Sequence, residues 1–167
     1  VPVLLVRHGE AGDRRKWPGP DHLRPLSPLG RRQAEALAGE LEGLGVARIL
    51  SSPFVRCVQS VEPLAARLGL AVESDPALAE GAETADAVAL VRRLAGSTAV
   101  VCNHGDVLRA VLDALAAEDG LAMGADYPAE KGSTWVLRDE GGRFVAAEYL
   151  PPPDRRAGDP QPEATGE

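Results

Sequence analysis

Val1-Pro2-Val3-Leu4-Leu5-Val6-Arg7-His8-Gly9-Glu10 opens the chain with an apolar run that stops on charged and turn-forming residues. A half-exposed strand alternates apolar with polar residues, so an unbroken apolar run, here Val1 to Val6, reads as a strand buried on both faces. Thr98-Ala99-Val100-Val101-Cys102-Asn103-His104-Gly105-Asp106 repeats the pattern, with a strand expected from Thr98 to Cys102. The chain holds three histidines, and two of them fall just past these predicted strands. In open α/β sheets ligands gather beyond the carboxyl ends of the strands. The two His-Gly junctions therefore predict one shared pocket, with glycines that allow close backbone approach and positive φ.

The rest of the chain fits around those strands. Ser27-Pro28 reads as N-cap and first helical position. Ala34, Leu37, Ala38, Leu41 and Leu44 follow at helical spacing, with Gly45 as the stop. Val46 to Leu50 is a further strand. Ser52-Pro53 repeats the cap signature before an apolar stripe of Phe54, Cys57, Val58, Val61, Leu64, Ala65 and Leu68, closed by Gly69. Ala71 to Ala82 reads as a loop. Thr84 is expected to cap a helix through Leu94, and Val107 to Ala117 reads as another. Ser133 to Leu137 and Phe144 to Tyr149 flank Glu140-Gly141-Gly142 as a hairpin. Alternating strands and helices predict an α/β sandwich. From Pro151 onward periodicity is lost among Pro, Gly and charge, so we expect one domain over 1–150 and a disordered Pro-rich tail over 151–167.

Composition narrows the function. A net charge of -7 counts against binding a nucleic acid polymer, which needs a basic footprint. Two cysteines cannot form a disulfide framework, which favours a reducing compartment. The chain has neither an 18-residue apolar run nor a signal-peptide pattern, so no membrane role is expected and a cytoplasmic location is. Nothing in the sequence fixes an oligomeric state.

The chemistry expected at the pocket is anionic. Arg7 stands beside His8, and Arg56 falls on the first turn of the helix after Ser51-Ser52-Pro53. Helix N-termini attract anions, and arginine offers paired donors shaped for phosphate. Two arginines and two histidines thus suit a tetrahedral dianion. His22, beside Asp21 in a loop, reads as solvent-exposed. A cysteine phosphatase needs five residues between thiolate and arginine, whereas Cys102 and Arg109 have six between them. Two-metal hydrolysis would need more Asp and His clusters than the chain offers. Neither a metal nor an organic cofactor is expected.

Several segments in order resemble the histidine phosphatase superfamily, which includes the phosphoglycerate mutases. They are Arg7-His8-Gly9-Glu10, Arg24-Pro25-Leu26-Ser27-Pro28-Leu29-Gly30 with Gln33-Ala34, Ser51-Ser52-Pro53-Phe54-Val55-Arg56 with Gln59-Ser60, and Asn103-His104-Gly105. The resemblance implies a three-layer α/β/α sandwich of phosphoglycerate mutase-like type with a mostly parallel central sheet. It implies His8 as nucleophile, with Arg7, Gly9, Arg56 and His104 around the phosphoryl group. One ring nitrogen of His8 must then donate to a backbone carbonyl so that the other keeps its lone pair. Ala77-Leu78-Ala79-Glu80-Gly81 is similar to the segment that carries the family's general acid. Glu80 is therefore the candidate acid, with Glu83 and Asp106 as rivals, and Lys131 is either a phosphate contact or a solvated hairpin residue.

Short length and Arg24-Pro25-Leu26-Ser27 look most like the bacterial SixA-type phosphohistidine phosphatases. Lys131-Gly132-Ser133-Thr134-Trp135-Val136-Leu137 also resembles the phosphatase-like domain that follows a Nudix domain in some actinobacterial hydrolases, and the sequence carries no Nudix box. Few lysines among many arginines fit a high-GC bacterium. We expect a phosphohistidine phosphatase, with a phosphomonoester or nucleotide phosphatase and a non-catalytic phosphate-binding module as alternatives. A mutase is less favoured, since the span from Arg56 to His104 leaves little material for a lid.

Overall fold

Each face of the first strand finds its own helical layer, which is why its sequence does not alternate. The computed structural model describes residues 1–153, and 154–167 of the expected tail lie outside the described residues. Strands β1 (Pro2–Arg7), β2 (Arg48–Ser51), β3 (Val72–Ser74), β4 (Ala99–Asn103), β5 (Thr134–Glu140) and β6 (Arg143–Leu150) form one sheet in the order β3-β2-β4-β1-β5-β6. β3, β2, β4 and β1 run parallel to one another, while β5 is antiparallel to β1 and β6 antiparallel to β5. Four helices complete the sandwich: α1 (Pro28–Leu41), α2 (Val55–Leu68), α3 (Thr84–Arg93) and α4 (Gly105–Asp119). Leu4 and Val6 pack with Leu37 and Leu41 of α1 and Val61 and Leu64 of α2. Val3 and Leu5 pack with Val91 of α3 and Leu108 and Leu112 of α4.

This winding places the pocket. β1 and β4 are neighbours, but the helix after β1 lies on one face of the sheet and the helix after β4 on the other. A crevice opens where neighbouring strands feed opposite faces. Both His-Gly junctions sit at its floor.

The α/β sandwich stands as expected, with differences in detail. Ser27 caps α1, accepting from the Gly30 amide at 3.1 Å, with Pro28 as first helical residue. Gly30 is demanded by packing, because a Cβ there would lie 2.0 Å from the Glu10 carbonyl oxygen. α1 ends before Leu44, which is exposed rather than part of the apolar stripe. α2 starts two residues beyond Pro53, and its N-cap is Phe54, so Ser52-Pro53 is not the expected cap. The Ala71–Ala82 loop contains the short strand β3, whose Val72 and Glu73 pair with Ile49 and Leu50. Glu83, not Thr84, is the N-cap of α3. Pro152 and Pro153, which follow the hairpin, are buried.

Candidate active site

His8 lies directly past β1 with its ring fully buried. Its backbone amide donates to the Asn103 carbonyl at 3.0 Å, tying the end of β1 to the end of β4. Its Nδ1 lies 2.7 Å from the Gly9 carbonyl oxygen. A carbonyl can only accept, so Nδ1 carries a proton, and in the neutral ring Nε2 then keeps the lone pair. Gly9 is itself anchored: its amide donates to Ser60 Oγ at 2.9 Å, and Ser60 Oγ donates to the Arg56 carbonyl at 2.7 Å. The tautomer of His8 is thereby held by the first turns of α2.

His104 lies directly past β4 as the N-cap of α4, its ring centroid 5.4 Å from that of His8. Ser52 Oγ is 2.9 Å from His104 Nε2 and accepts from the Phe54 amide at 3.2 Å. The serine expected to cap a helix instead orients the second histidine. Phe54 packs edge-on against the His104 ring at 4.7 Å. Cys57 Sγ is 3.5 Å from Nε2. Burial, then the neighbouring Cys102, pushes the Cys57 thiol well above its ordinary range, so it packs here as a neutral thiol rather than a nucleophile.

The arginines converge on the same crevice. Arg7 donates to the Ala129 carbonyl at 2.7 Å and lies against Gly105, where a Cβ would come 2.8 Å from the guanidinium carbon. A Cβ on Gly9 would come 3.0 Å from Gln33 Oε1 and 3.2 Å from the Gly30 carbonyl oxygen. Neither glycine has positive φ; close approach alone accounts for both. Arg56 is fully buried and donates to the Asp21 carbonyl at 2.9 Å and to Asp21 Oδ2 at 3.0 Å. Arg24, also buried, donates to Asp21 Oδ1 at 3.0 Å and to the Ala11 carbonyl at 2.8 Å, holding the segment between His8 and α1 against the site. Burial works to raise the Asp21 carboxyl, but Arg24 and Arg56 outweigh it and hold the group below the usual range. Asp21 is thus a fixed anion that sets the plane of Arg56.

Of the three acids singled out, Glu80 reaches the crevice. Its Oε2 lies 3.7 Å from Arg56 Nη2 and its Oε1 accepts from Arg14 Nη2 at 2.8 Å. Asp106 accepts from the Gly81 amide at 3.0 Å, so it steadies the loop that carries Glu80. Glu83 is exposed at the start of α3. His22 is exposed, as expected, with its ring 6.2 Å from Phe54 at the rim. Lys131 precedes Gly132, whose amide donates to the Arg7 and His8 carbonyls at 3.0 Å each and whose φ is 83°. The hairpin start therefore lies against the end of β1. Trp135 donates to the Pro128 carbonyl at 2.9 Å and so fixes the segment whose Ala129 carbonyl holds Arg7.

Asp21 and Ser52 are the residues that sequence reasoning did not assign to the site. Asp21 is three residues before Arg24, a spacing that signals a local ion pair, but nothing local announces its reach to Arg56. Asn103 is a third. Among the described residues its buried amide has no hydrogen-bond partner, and it shares a sheet face with Arg7, its partner in the β1–β4 register. Among the described residues no group of three or more His, Cys, Asp or Glu is arranged to hold a metal ion, and no helix is long and apolar enough to cross a membrane.

The arrangement offers an oriented imidazole lone pair, guanidinium groups for an anion and a carboxyl group beside them. Known proteins resemble the chain in sequence and in fold. The family model described as histidine phosphatase superfamily (branch 1) matches residues 3–85. An 8-oxo-(d)GTP phosphatase of Mycolicibacterium smegmatis is 40% identical over 159 residues, covering 92% of this chain and 49% of that protein. A probable phosphoglycerate mutase of Yersinia enterocolitica is 36% identical over 83 residues, covering 47% of this chain and 37% of that protein. The chain thus spans half the length, or less, of the curated relatives it matches. Among solved structures, the protein histidine phosphatase SixA complexed with tungstate superposes with a TM-score of 0.71 at 21% identity, covering 90% of this chain and 94% of that one.

Proposed function

The chain belongs to the histidine phosphatase superfamily, and on that premise we propose that it hydrolyses phosphoric esters or anhydrides through a phosphorylated His8. The bond from His8 Nδ1 to the Gly9 carbonyl carries this reading. It aims the lone pair of Nε2, and a module that merely bound phosphate would have no use for a fixed tautomer. Arg7, Arg56 and His104 bind the phosphoryl oxygens, over which charge spreads in the transition state. His8 Nε2 attacks phosphorus, and Glu80 gives its proton to the leaving oxygen. Water then attacks the phosphohistidine and returns a proton to Glu80. Nucleophile, anion clamp and acid all come from side chains of residues 1–150, which we take as the catalytic domain, acting in the cytoplasm. Lys131, beside the end of β1, is placed in this reading at the edge of the phosphoryl site.

Placing Glu80 as the acid favours oxygen over nitrogen as the leaving atom. An imidazole leaves from phosphorus readily, whereas an alkoxide needs a proton. The 3.7 Å approach of Glu80 to Arg56 therefore supports an oxygen-linked ester ahead of a phosphohistidine protein. The 40% identical relative, named for a nucleotide, supports the same choice.

The test is phosphate release by the protein and by His8→Ala from an aryl phosphate, 3-phosphoglycerate, a nucleoside diphosphate and a phosphohistidine peptide. Turnover of an oxygen-linked substrate, lost in His8→Ala, is the expected result. Hydrolysis undiminished in His8→Ala would remove the nucleophile assignment. Turnover of the phosphohistidine peptide alone would return the phosphohistidine reading.

A further inference from the structure

Arg14 belongs to none of the segments that carry the family resemblance, yet it ends a line of charge that begins at Arg56. Glu80 turns one carboxylate oxygen toward each guanidinium, Oε1 to Arg14 at 2.8 Å and Oε2 to Arg56 at 3.7 Å. Asp21 repeats the bridge, with Oδ2 3.0 Å from Arg56 and Oδ1 3.5 Å from Arg14 Nε. The Arg56 side chain is fully buried, whereas that of Arg14 is 45% exposed. The two guanidiniums stand as inner and outer posts one carboxylate apart, and the outer one meets solvent. Arg15, the next residue, is committed elsewhere, to the Asp13 carboxylate at 3.2 Å.

We propose that Arg14 binds a second phosphoryl group, joined to the transferred one through the leaving oxygen, so that the site is built for phosphoanhydrides such as nucleoside diphosphates. This rests on the reading above, in which Arg56 holds the transferred group and Glu80 protonates the leaving oxygen. In a diphosphate the leaving oxygen lies between two phosphorus atoms, each carrying anionic oxygens. Glu80 lies between two guanidiniums, so cation, proton donor and cation meet anion, bridging oxygen and anion in register. Arginine suits this place because its parallel N–H groups match two phosphate oxygens at once. An ester of a neutral alcohol presents nothing for Arg14 to hold.

The chemistry balances without a further reactant. A bond forms from His8 Nε2 to the terminal phosphorus while the bond from that phosphorus to the bridging oxygen breaks. The Glu80 proton goes to the bridging oxygen, and the nucleoside monophosphate departs from Arg14. Water then attacks the phosphohistidine, its proton passes to the Glu80 carboxylate, and inorganic phosphate leaves. One anhydride bond and one water are consumed.

The experiment compares kcat/KM for GDP and for para-nitrophenyl phosphate in the protein, Arg14→Ala and Arg14→Lys. Arg14 also touches Glu80, so both rates shift in Arg14→Ala, and the ratio between substrates is the readout. The GDP-to-aryl-phosphate ratio should fall about tenfold to hundredfold in Arg14→Ala, the range for a lost charge-assisted hydrogen bond. The fall should be carried by KM and partly restored in Arg14→Lys. An equal loss on both substrates would show that Arg14 only steadies Glu80, and would overturn the proposal. Ready turnover of aryl phosphate without turnover of GDP would overturn it too, with the phosphatase reading intact. Turnover of neither substrate, nor of the other substrates above, would remove both.

Discussion

Ser60 joins α2 to the Gly9 peptide beside His8, the proposed nucleophile. Its hydroxyl receives the Gly9 amide and donates to the Arg56 carbonyl, so the peptide that fixes the His8 tautomer is held from one helical turn. In Ser60→Ala the Gly9 amide loses that partner and the Gly9 carbonyl can drift from Nδ1. We expect kcat to fall about tenfold, the size of one buried hydrogen bond, with KM changed little; steady-state kinetics on an aryl phosphate read the split. Threonine, which keeps the hydroxyl, should restore much of the loss. At this scale the sequence carried the chemistry further than the geometry. That His8 needs a carbonyl partner follows from what an imidazole nucleophile requires. That Asp21 clamps Arg56, or that Ser52 turns from helix cap to histidine partner, depends on elements meeting in space.

The elements are held by contacts that a sequence shows only in part. α1 begins with Gly30 pressed against the Glu10 carbonyl, and a methyl there has rigid backbone to displace. Gly30→Ala should destabilise the protein by about 1–3 kcal/mol through overpacking, seen as a lower denaturation midpoint in urea. Asp119, at the end of α4, accepts from Arg92 of α3 at 2.9 and 3.1 Å and from the Phe144 amide of β6 at 2.9 Å. The Arg92 bond, ahead of the opposing effect of burial and the Phe144 bond, holds its carboxyl below the usual range. A depressed carboxyl contributes its stability above the ordinary aspartate value and loses it as pH falls through the folded value. Asp119→Asn should therefore lower stability near neutrality and flatten its decline below roughly pH 4, measured as urea midpoints across pH. The long periodic helices were legible because many residues repeat one message. β3 was not, since three residues beside Pro76 carry too little pattern, and it exists through pairing with β2.

Across the whole molecule, the crevice lies where the two helical layers exchange strands, so an anion bound there touches both. Arg56 belongs to α2, and His8 is tied to that helix through Gly9 and Ser60, whereas Arg7 lies against Gly105 at the start of α4. A bound oxyanion should therefore stabilise the fold as one unit. Tungstate at a hundred times its Kd should add about 2.7 kcal/mol, seen as a single higher-melting transition. Arg56→Ala should lose that shift, and a shift retained in the variant would place the anion elsewhere. The shared pocket was legible because two similar junctions, after β1 at His8 and after β4 at His104, mark its two sides. The ion pairs that cross it, Arg56 with Asp21 and Arg14 with Glu80, depend on loops whose paths no periodicity records.

Gly105 bears on how such a chain could change over generations. A methyl at that position meets first the far end of Arg7, a flexible side chain, and alanine is a better helix former than glycine. The protein would absorb the change by letting the guanidinium swing aside. Its fold and abundance would persist while its hold on anions weakened. One substitution would thus convert an enzyme into a stable but silent descendant, a pseudoenzyme that a search for intact histidines would still count as active.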